Sequence, residues 1–173
     1  MEEGPVSKRS LRPGAPRAPF QDWPLQATTS IGYVWYTSPG VFVSQMLRET
    51  ATVEDARALT DCVDRVLEAK RADFAVHGGL LILHDWRILK TYDAAARSHL
   101  FTHTRSRKTG DVRGVIVSLT LTPLLRMAVE AGNALLTATT GRSVEIVPAI
   151  SVALGKHGVL APTDAASLAG LFP

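Results

Sequence analysis

The spacing of apolar and polar positions changes several times along the chain, and each change marks an element. Residues 31–37, IGYVWYT, are β-branched and aromatic, the composition of a strand. Ser38-Pro39-Gly40 is a turn, and 41–48, VFVSQMLR, reads as a second strand, so 31–48 is a hairpin. The spacing then becomes helical. Val53, Ala56, Leu59, Val63, Val66 and Leu67 share one face, with Glu54, Asp61, Asp64, Arg65 and Glu68 on the other. Thr52, with Asp55 three residues on, has the form of a capping box. His77-Gly78-Gly79 marks the next turn. LLILHDW, 80–86, is a short apolar run and predicts a buried, parallel strand.

A second helix is predicted from Asp93 to Lys108, closed by Thr109-Gly110-Asp111. GVIVSLTL, 114–121, is another buried strand. Thr122 caps a third helix whose first position is Pro123, where a missing N–H costs nothing. That helix is apolar over most of its girth and stops at Gly141, a residue suited to a left-handed C-terminal cap. SVEIVPAI, 143–150, is a last strand, followed by Gly-rich breaks and one weak helix after Thr163. Strands alternating with helices predict an α/β fold, a mixed and mostly parallel sheet of four to five strands with an opening hairpin, covered by helices.

The chain divides into three parts. Residues 1–28 read as a disordered basic tail: Pro5, Pro13, Pro16, Pro19 and Pro24 interrupt it, and Lys8, Arg9, Arg12 and Arg17 charge it. Phe20, Trp23 and Leu25 are placed to dock back on the domain. Residues 29–150 form the domain, and 151–173 a C-terminal tail. The 173 residues are 46% apolar, enough for a sizeable core. The single cysteine, Cys62, falls on the apolar face of the first helix and reads as a small buried hydrophobe. One cysteine, no apolar leader pattern and no apolar run of 18 residues give cytoplasmic as the expected location, with no membrane span. A net charge of +3 permits acidic partners without demanding them.

The chemistry-bearing residues gather in HDWRILKTYDAAARSHLFTH, 84–103. Asp93 opens a helix, where a carboxylate caps backbone N–H groups or meets a partner's cation. Asp85 lies at the C-terminal end of its strand, the edge where α/β sheets place ligands. Trp86 and Tyr92, beside Arg87 and Arg97, are interface anchors if exposed and packing if buried. His99 and His103 share one helix face and are weak zinc candidates; HLFTH lacks the glutamate of a zinc hydrolase motif, so no metal and no cofactor are expected. Arg97, Arg105, Arg107 and Lys108 make the helix basic, either as a solvated face or as a reader of acidic groups. Nucleic acid is not expected, since aromatic residues are not interleaved with this run. No GxSxG, GxxxxGK[ST] or strand-following GxGxxG is present, so the chain is expected not to be an enzyme.

Over 31–150 this layout resembles the SpoIIAA-like, STAS/SEC14-type domains. Asp85 at the end of LLILHD, Asp93 in YDAAAR, and the late block TPLLRMAVEAGNALLTATTGRSVEIV carry the resemblance. It implies a regulatory protein-interaction module of the kind found in bacterial signalling, with homo-oligomers possible. Members that antagonise anti-sigma factors carry a phosphorylatable Ser after the second Asp. This chain has Ala94-Ala95-Ala96 there, so that switch is absent from the position, and nothing shows that Ser98 replaces it. The expected partner surface is Asp85, Trp86, Arg87, Tyr92, Asp93 and Arg97. The alternative, implied by the SEC14-type likeness, is a small apolar ligand or lipid beneath the third helix.

Overall fold

The computed structural model describes residues 15–172 apart from 109 and 121. The elements run β1 (Ala27–Thr29), β2 (Gly32–Thr37), β3 (Val41–Met46), β4 (Thr50–Ala51), α1 (Val53–Ala69), α2 (Arg71–Ala75) and β5 (Leu80–Trp86). There follow β6 (Thr91–Tyr92), α3 (Ala94–Ser106), β7 (Val112–Leu119), α4 (Pro123–Thr140), β8 (Val144–Val147) and α5 (Ile150–Lys156). The fold is α/β. A six-stranded mixed sheet has the order β1-β2-β3-β5-β7-β8, and β4 pairs with β6 in a separate two-stranded ribbon. β1, β2 and β3 are antiparallel, and β3, β5, β7 and β8 run parallel.

The predicted caps explain where the helices start and stop. Thr52 Oγ1 accepts from Asp55 N at 3.4 Å while Asp55 Oδ2 accepts from Thr52 N at 2.9 Å, the reciprocal capping box. Thr122 caps α4, Pro123 takes its first position, and Gly141 ends it at φ 69°, a left-handed conformation that a side chain disfavours. The parallel crossovers through α1, α3 and α4 step the sheet in one direction. Connections of one hand then put all three helices on one face.

The sheet therefore has two cores. On the helix face, Val34, Phe42, Leu80, Ile82 and Trp86 meet α1 through Leu59, Val63 and Val66. On the opposite face, Trp35, Val43, Leu81, Leu83 and Ile116 meet Phe20 from the N-terminal segment and Ile150 and Ala153 from α5. Strand alternation makes this division, since successive side chains point to opposite faces.

The sheet has six strands where four to five were expected. The addition is β1, whose Ala-Thr-Thr sequence carries no apolar alternation. Its first two residues, Ala27 and Thr28, fall in the segment assigned to the tail. Residues 1–14 of that segment lie outside the described residues, whereas 15–28 pack on the domain. Phe20 is fully buried, with its ring 5.1 Å from Trp35 (stacked) and 4.9 Å from Trp23 (edge-on). Trp23 is half-buried and Leu25 stays exposed. At the other end, the last strand stops at Val147, before Pro148, and Ile150 begins a helix instead of ending a strand. Residues 165–171 form turns where a weak helix was expected, and they bury Leu168. Among the described residues, no helix is long and apolar enough to cross a membrane.

Candidate functional site

β3 and β5 place polar residues side by side in the middle of the sheet. Ser44 pairs with His84, and Gln45 with Asp85. Alternation sends the first pair to the helix face and the second to the opposite face.

On the opposite face every oxygen of Asp85 is engaged. Its Oδ2 accepts from Gln45 Nε2 at 2.9 Å, and Arg87 grips both oxygens through Nε and Nη2, each at 2.7 Å. That bidentate grip and the carboxylate's charge hold the guanidinium above its ordinary range. Gln45 also binds the N-terminal segment, accepting from Arg17 N at 2.8 Å and donating to Arg17 O at 3.2 Å, while Arg87 donates to Ala18 O. Asp85 is thus a buried anchor for the chain's early residues.

On the helix face, Ser44 Oγ lies 2.7 Å from His84 Nδ1. Trp86 stacks on the imidazole at 5.3 Å and Phe42 meets it edge-on at 6.3 Å. Burial, reinforced by the Arg107 guanidinium, pushes the His84 pKa down to about 3, so the ring is neutral at ordinary pH. Ser44 occupies Nδ1, which leaves Nε2 for the space that His84 lines.

That space is a cavity of ≈ 310 Å³ between the sheet and the helices α1, α3 and α4. It exists because the outer helices bury little: α3 buries only Ala96, and α4 only Leu125 and Leu136. Small residues, among them Thr104, Gly114, Gly141 and Ser143, line it without filling it. Leu59, Val63, Ile82, Leu100, Val115 and Leu136 give it apolar walls. Asn133 pins α4 beside it, its side chain accepting from Val144 N at 2.7 Å and donating to Val144 O at 2.9 Å.

Three arginines also line the cavity. Arg113 turns away, donating to Pro39 O at 2.8 Å. Arg107 points inward with its side chain 11% exposed and one bond to Asp64 at 3.2 Å; its Nε is buried without a partner. Arg142 Nη1 donates to Arg107 O at 3.0 Å, bringing the two residues together across 35 positions of sequence. Burial pulls the Arg107 pKa down, and Arg142 adds to this, while Asp64 and Asp111 oppose it. Among the described residues, the lining holds no carboxylate.

The residues expected as a partner surface are brought to one corner, but they are not equally available. Asp85 and Trp86 are buried, Asp85 in the cluster above and Trp86 in the core with its Nε1 unpartnered. Arg87 is committed to Asp85 and Ala18. Asp93 Oδ1 accepts from Ala96 N at 2.6 Å, the capping role foreseen for it. Arg97 is exposed and lies 5.6 Å from the centre of the half-buried Tyr92 ring.

His99 and His103 do share a face, with rings stacked at 5.7 Å. Each turns to α1: His99 Nε2 meets Thr60 Oγ1 at 3.0 Å, and His103 Nε2 contacts Asp64 Oδ2 at 2.9 Å. The second contact is charge proximity without hydrogen-bond alignment, since Nε2 finds no aligned acceptor. Among the described residues, no three His, Cys, Asp or Glu groups converge as a metal set would require.

Sequence reasoning did not single out Ser44, Gln45, Arg107 as an inward group, or Arg142. The one available signal was a polar pair, Ser44-Gln45, inside an apolar strand. No protein-family model, no curated protein and no solved structure matches this chain.

Proposed function

We propose that the chain is a non-enzymatic binding domain that takes a small molecule with an apolar body into the cavity beneath α3 and α4. The cavity carries this reading. Its ≈ 310 Å³ stands at the lower end of the ~300–1,000 Å³ typical of ligand pockets, and apolar walls from Leu59, Val63, Ile82, Leu100, Val115 and Leu136 stand beside polar groups such as Thr60, His84 and Thr104. The element order over 31–150 supports a STAS/SpoIIAA-like layout of the domain.

The geometry of Ser44 and His84 favours binding over catalysis. Ser44 is 1% exposed and bonds Nδ1, so it orients the ring and offers no nucleophile to the cavity. An imidazole held near a pKa of about 3 is a weak base at neutral pH, where a general base works best with a pKa close to the operating value. What remains is a fixed, uncharged hydrogen-bonding group on the wall.

Thermal melting with octan-1-ol tests this, because a ligand that binds only the folded chain raises its melting temperature. The wild type is expected to shift upward, and Thr104→Phe, which places a ring in the cavity, to lose the shift. No shift in the wild type, or an equal shift in Thr104→Phe, rules the reading out.

A second reading, a regulatory partner docking at the β6–α3 corner, is favoured by the Arg97–Tyr92 pair. An arginine beside a half-buried aromatic ring suits an acidic side chain of a partner. Arg97→Glu leaves the Asp93 cap in place and is expected to abolish capture of any partner that uses this corner.

A further inference from the structure

We propose that the seam between α3 and α4 is a docking surface for an amphipathic helix of a partner protein, its apolar face on α4 and an acidic flank against α3. The two helices are neighbours on one face of the sheet, α3 crossing from β5 to β7 and α4 from β7 to β8. The proposal does not rest on the cavity reading, and its test leaves Arg97 untouched.

Which sides face the seam follows from what the other sides hold. On α3, His99 and His103 turn to α1. Arg97, Phe101 and Arg105, at i, i+4 and i+8, occupy the opposite side and so face α4. On α4, Asn133 bonds both the N–H and the C=O of Val144 in β8, the last strand of the sheet. Those two groups point to one edge of the strand, and since Asn133 takes them in place of β7, Asn133 marks the free edge. Leu124, Ala131 and Leu135 lie on the side of α4 opposite Asn133 and so face α3.

These facing residues are nonetheless uncovered. Leu124 is 71% exposed, Leu135 52%, and Met127, on the outer surface beside them, 68%. Phe101 is half-buried, yet it joins neither core of the sheet. Two helices in full contact bury the residues that they turn to each other, so α3 and α4 leave an open apolar strip along their outer edges. A helix that is apolar all round is ordinarily buried all round, whereas α4 buries only Leu125 and Leu136.

Charge sets the partner. Residues 94–108 contain no Asp or Glu. Arg97, Arg105 and Lys108 are exposed, and none of the three makes an ion pair among the described residues. The two charges of α4, Arg126 and Glu130, bond each other at 2.7 Å. The seam is therefore apolar along α4 and positive along α3, and an acidic amphipathic helix complements both sides. A second copy of the chain would bring a second set of the same cations. A membrane-facing surface would carry interfacial Trp or Tyr, and neither helix has one. The 18 residues of α4 give the seam a length of about 27 Å, so the partner helix has roughly five turns.

The test is fluorescence anisotropy of the full chain with two labelled peptides of roughly five helical turns. Both carry leucine along one face; one carries glutamate along a flank, the other lysine at the same places. The glutamate peptide is expected to bind at least about tenfold more tightly than the lysine peptide. Arg105→Glu combined with Lys108→Glu is expected to remove or reverse that preference. Leu124→Asn is expected to weaken the glutamate peptide at least about tenfold. All three positions are exposed, so both variants are expected to melt with the wild type and to keep its response to octan-1-ol, which separates failure of the seam from failure of the cavity. Equal binding of the two peptides, binding of neither, or a preference that survives the charge reversal overturns the proposal. Sedimentation of the chain alone and flotation with phosphatidylglycerol vesicles complete the test. A wild-type dimer that Leu124→Asn dissociates assigns the seam to a second copy, flotation lost in that variant assigns it to a lipid surface, and either result overturns the proposal.

Discussion

Strand β5 sends His84 to one face of the sheet and Asp85 to the other, and the two faces treat a buried polar group differently. Asp85 is enclosed by Gln45 and Arg87, which themselves tie down Arg17 and Ala18. Phe20, Trp23 and Trp35 close the same face with interlocked rings. His84 bonds Ser44, and it lines a cavity under helices that bury few side chains. One face is filled, with the Ser118 hydroxyl beside Asp85 buried and unpartnered; the other is held open. The proposed binding role rests on this contrast.

Four substitutions break or sharpen this contrast, in order of expected size. Phe20→Ala removes the central ring of the closed face and is expected to destabilise by about 3–5 kcal/mol in chemical denaturation. A loss below about 1 kcal/mol would mean that the early segment is not part of the core.

His84→Gln tests the open face through pH. The folded pKa of about 3 lies below the ordinary 6.5, so the unfolded chain binds more protons between those values. The wild type holds this contribution fully above pH 6.5 and loses it as the pH falls toward 3. Between pH 8 and pH 5 the loss from this group is expected to be about 2 kcal/mol, from roughly 1.4 kcal/mol per pH unit below the unfolded value. His84→Gln should flatten that part of the profile, measured by denaturation at each pH; an unchanged slope would place the titration elsewhere.

Asp85→Asn leaves the shape and removes the charge that Arg87 grips. The expected loss is about 1–3 kcal/mol, kept from being larger because Arg87 is one-third exposed and can turn to solvent. A neutral effect would separate the Asp85 cluster from the stability of the early segment. Smallest of all, Leu135→Ala on the outer side of α4 is expected to change stability by less than about 0.5 kcal/mol, because Leu135 is already 52% exposed.

Much of the scaffold was legible because local chemistry determines it. The Thr52–Asp55 capping box, the Thr122-Pro123 start and the Gly141 stop are fixed by residues within a few positions of each other. β5 and β7 announced themselves as unbroken apolar runs. β1, with only Ala-Thr-Thr, and the two-residue strands β4 and β6 exist through pairing with distant partners and carry no local signal. α5 was hidden because Ile150 continues the apolar run of the preceding strand, although Pro148 interrupts that strand.

The candidate site was legible in part. Asp93 was read as a cap or a partner contact from its place before Ala94, and it makes the cap bond. Asp85 and Trp86 were read at a loop edge, whereas their strand is buried on both faces, so both turn inward. The cavity could not be read at all. Its polar end joins Arg107 to Arg142 across 35 residues, and Arg107 looked like one more charge on a solvated helix. Only the packing of α3 against α1 turns it inward, where Asp64 meets it.

The central claim is that the space under α3 and α4 accepts a ligand while the other face of the sheet does not. Methyl NMR of the wild-type chain, titrated with octan-1-ol, tests it most directly. The account predicts shifts at Val63, Leu100, Val115 and Leu136, with Val43, Leu83 and Ile150 unmoved. No shifts, or shifts confined to the outward Leu124 and Leu135 of α4, would contradict it.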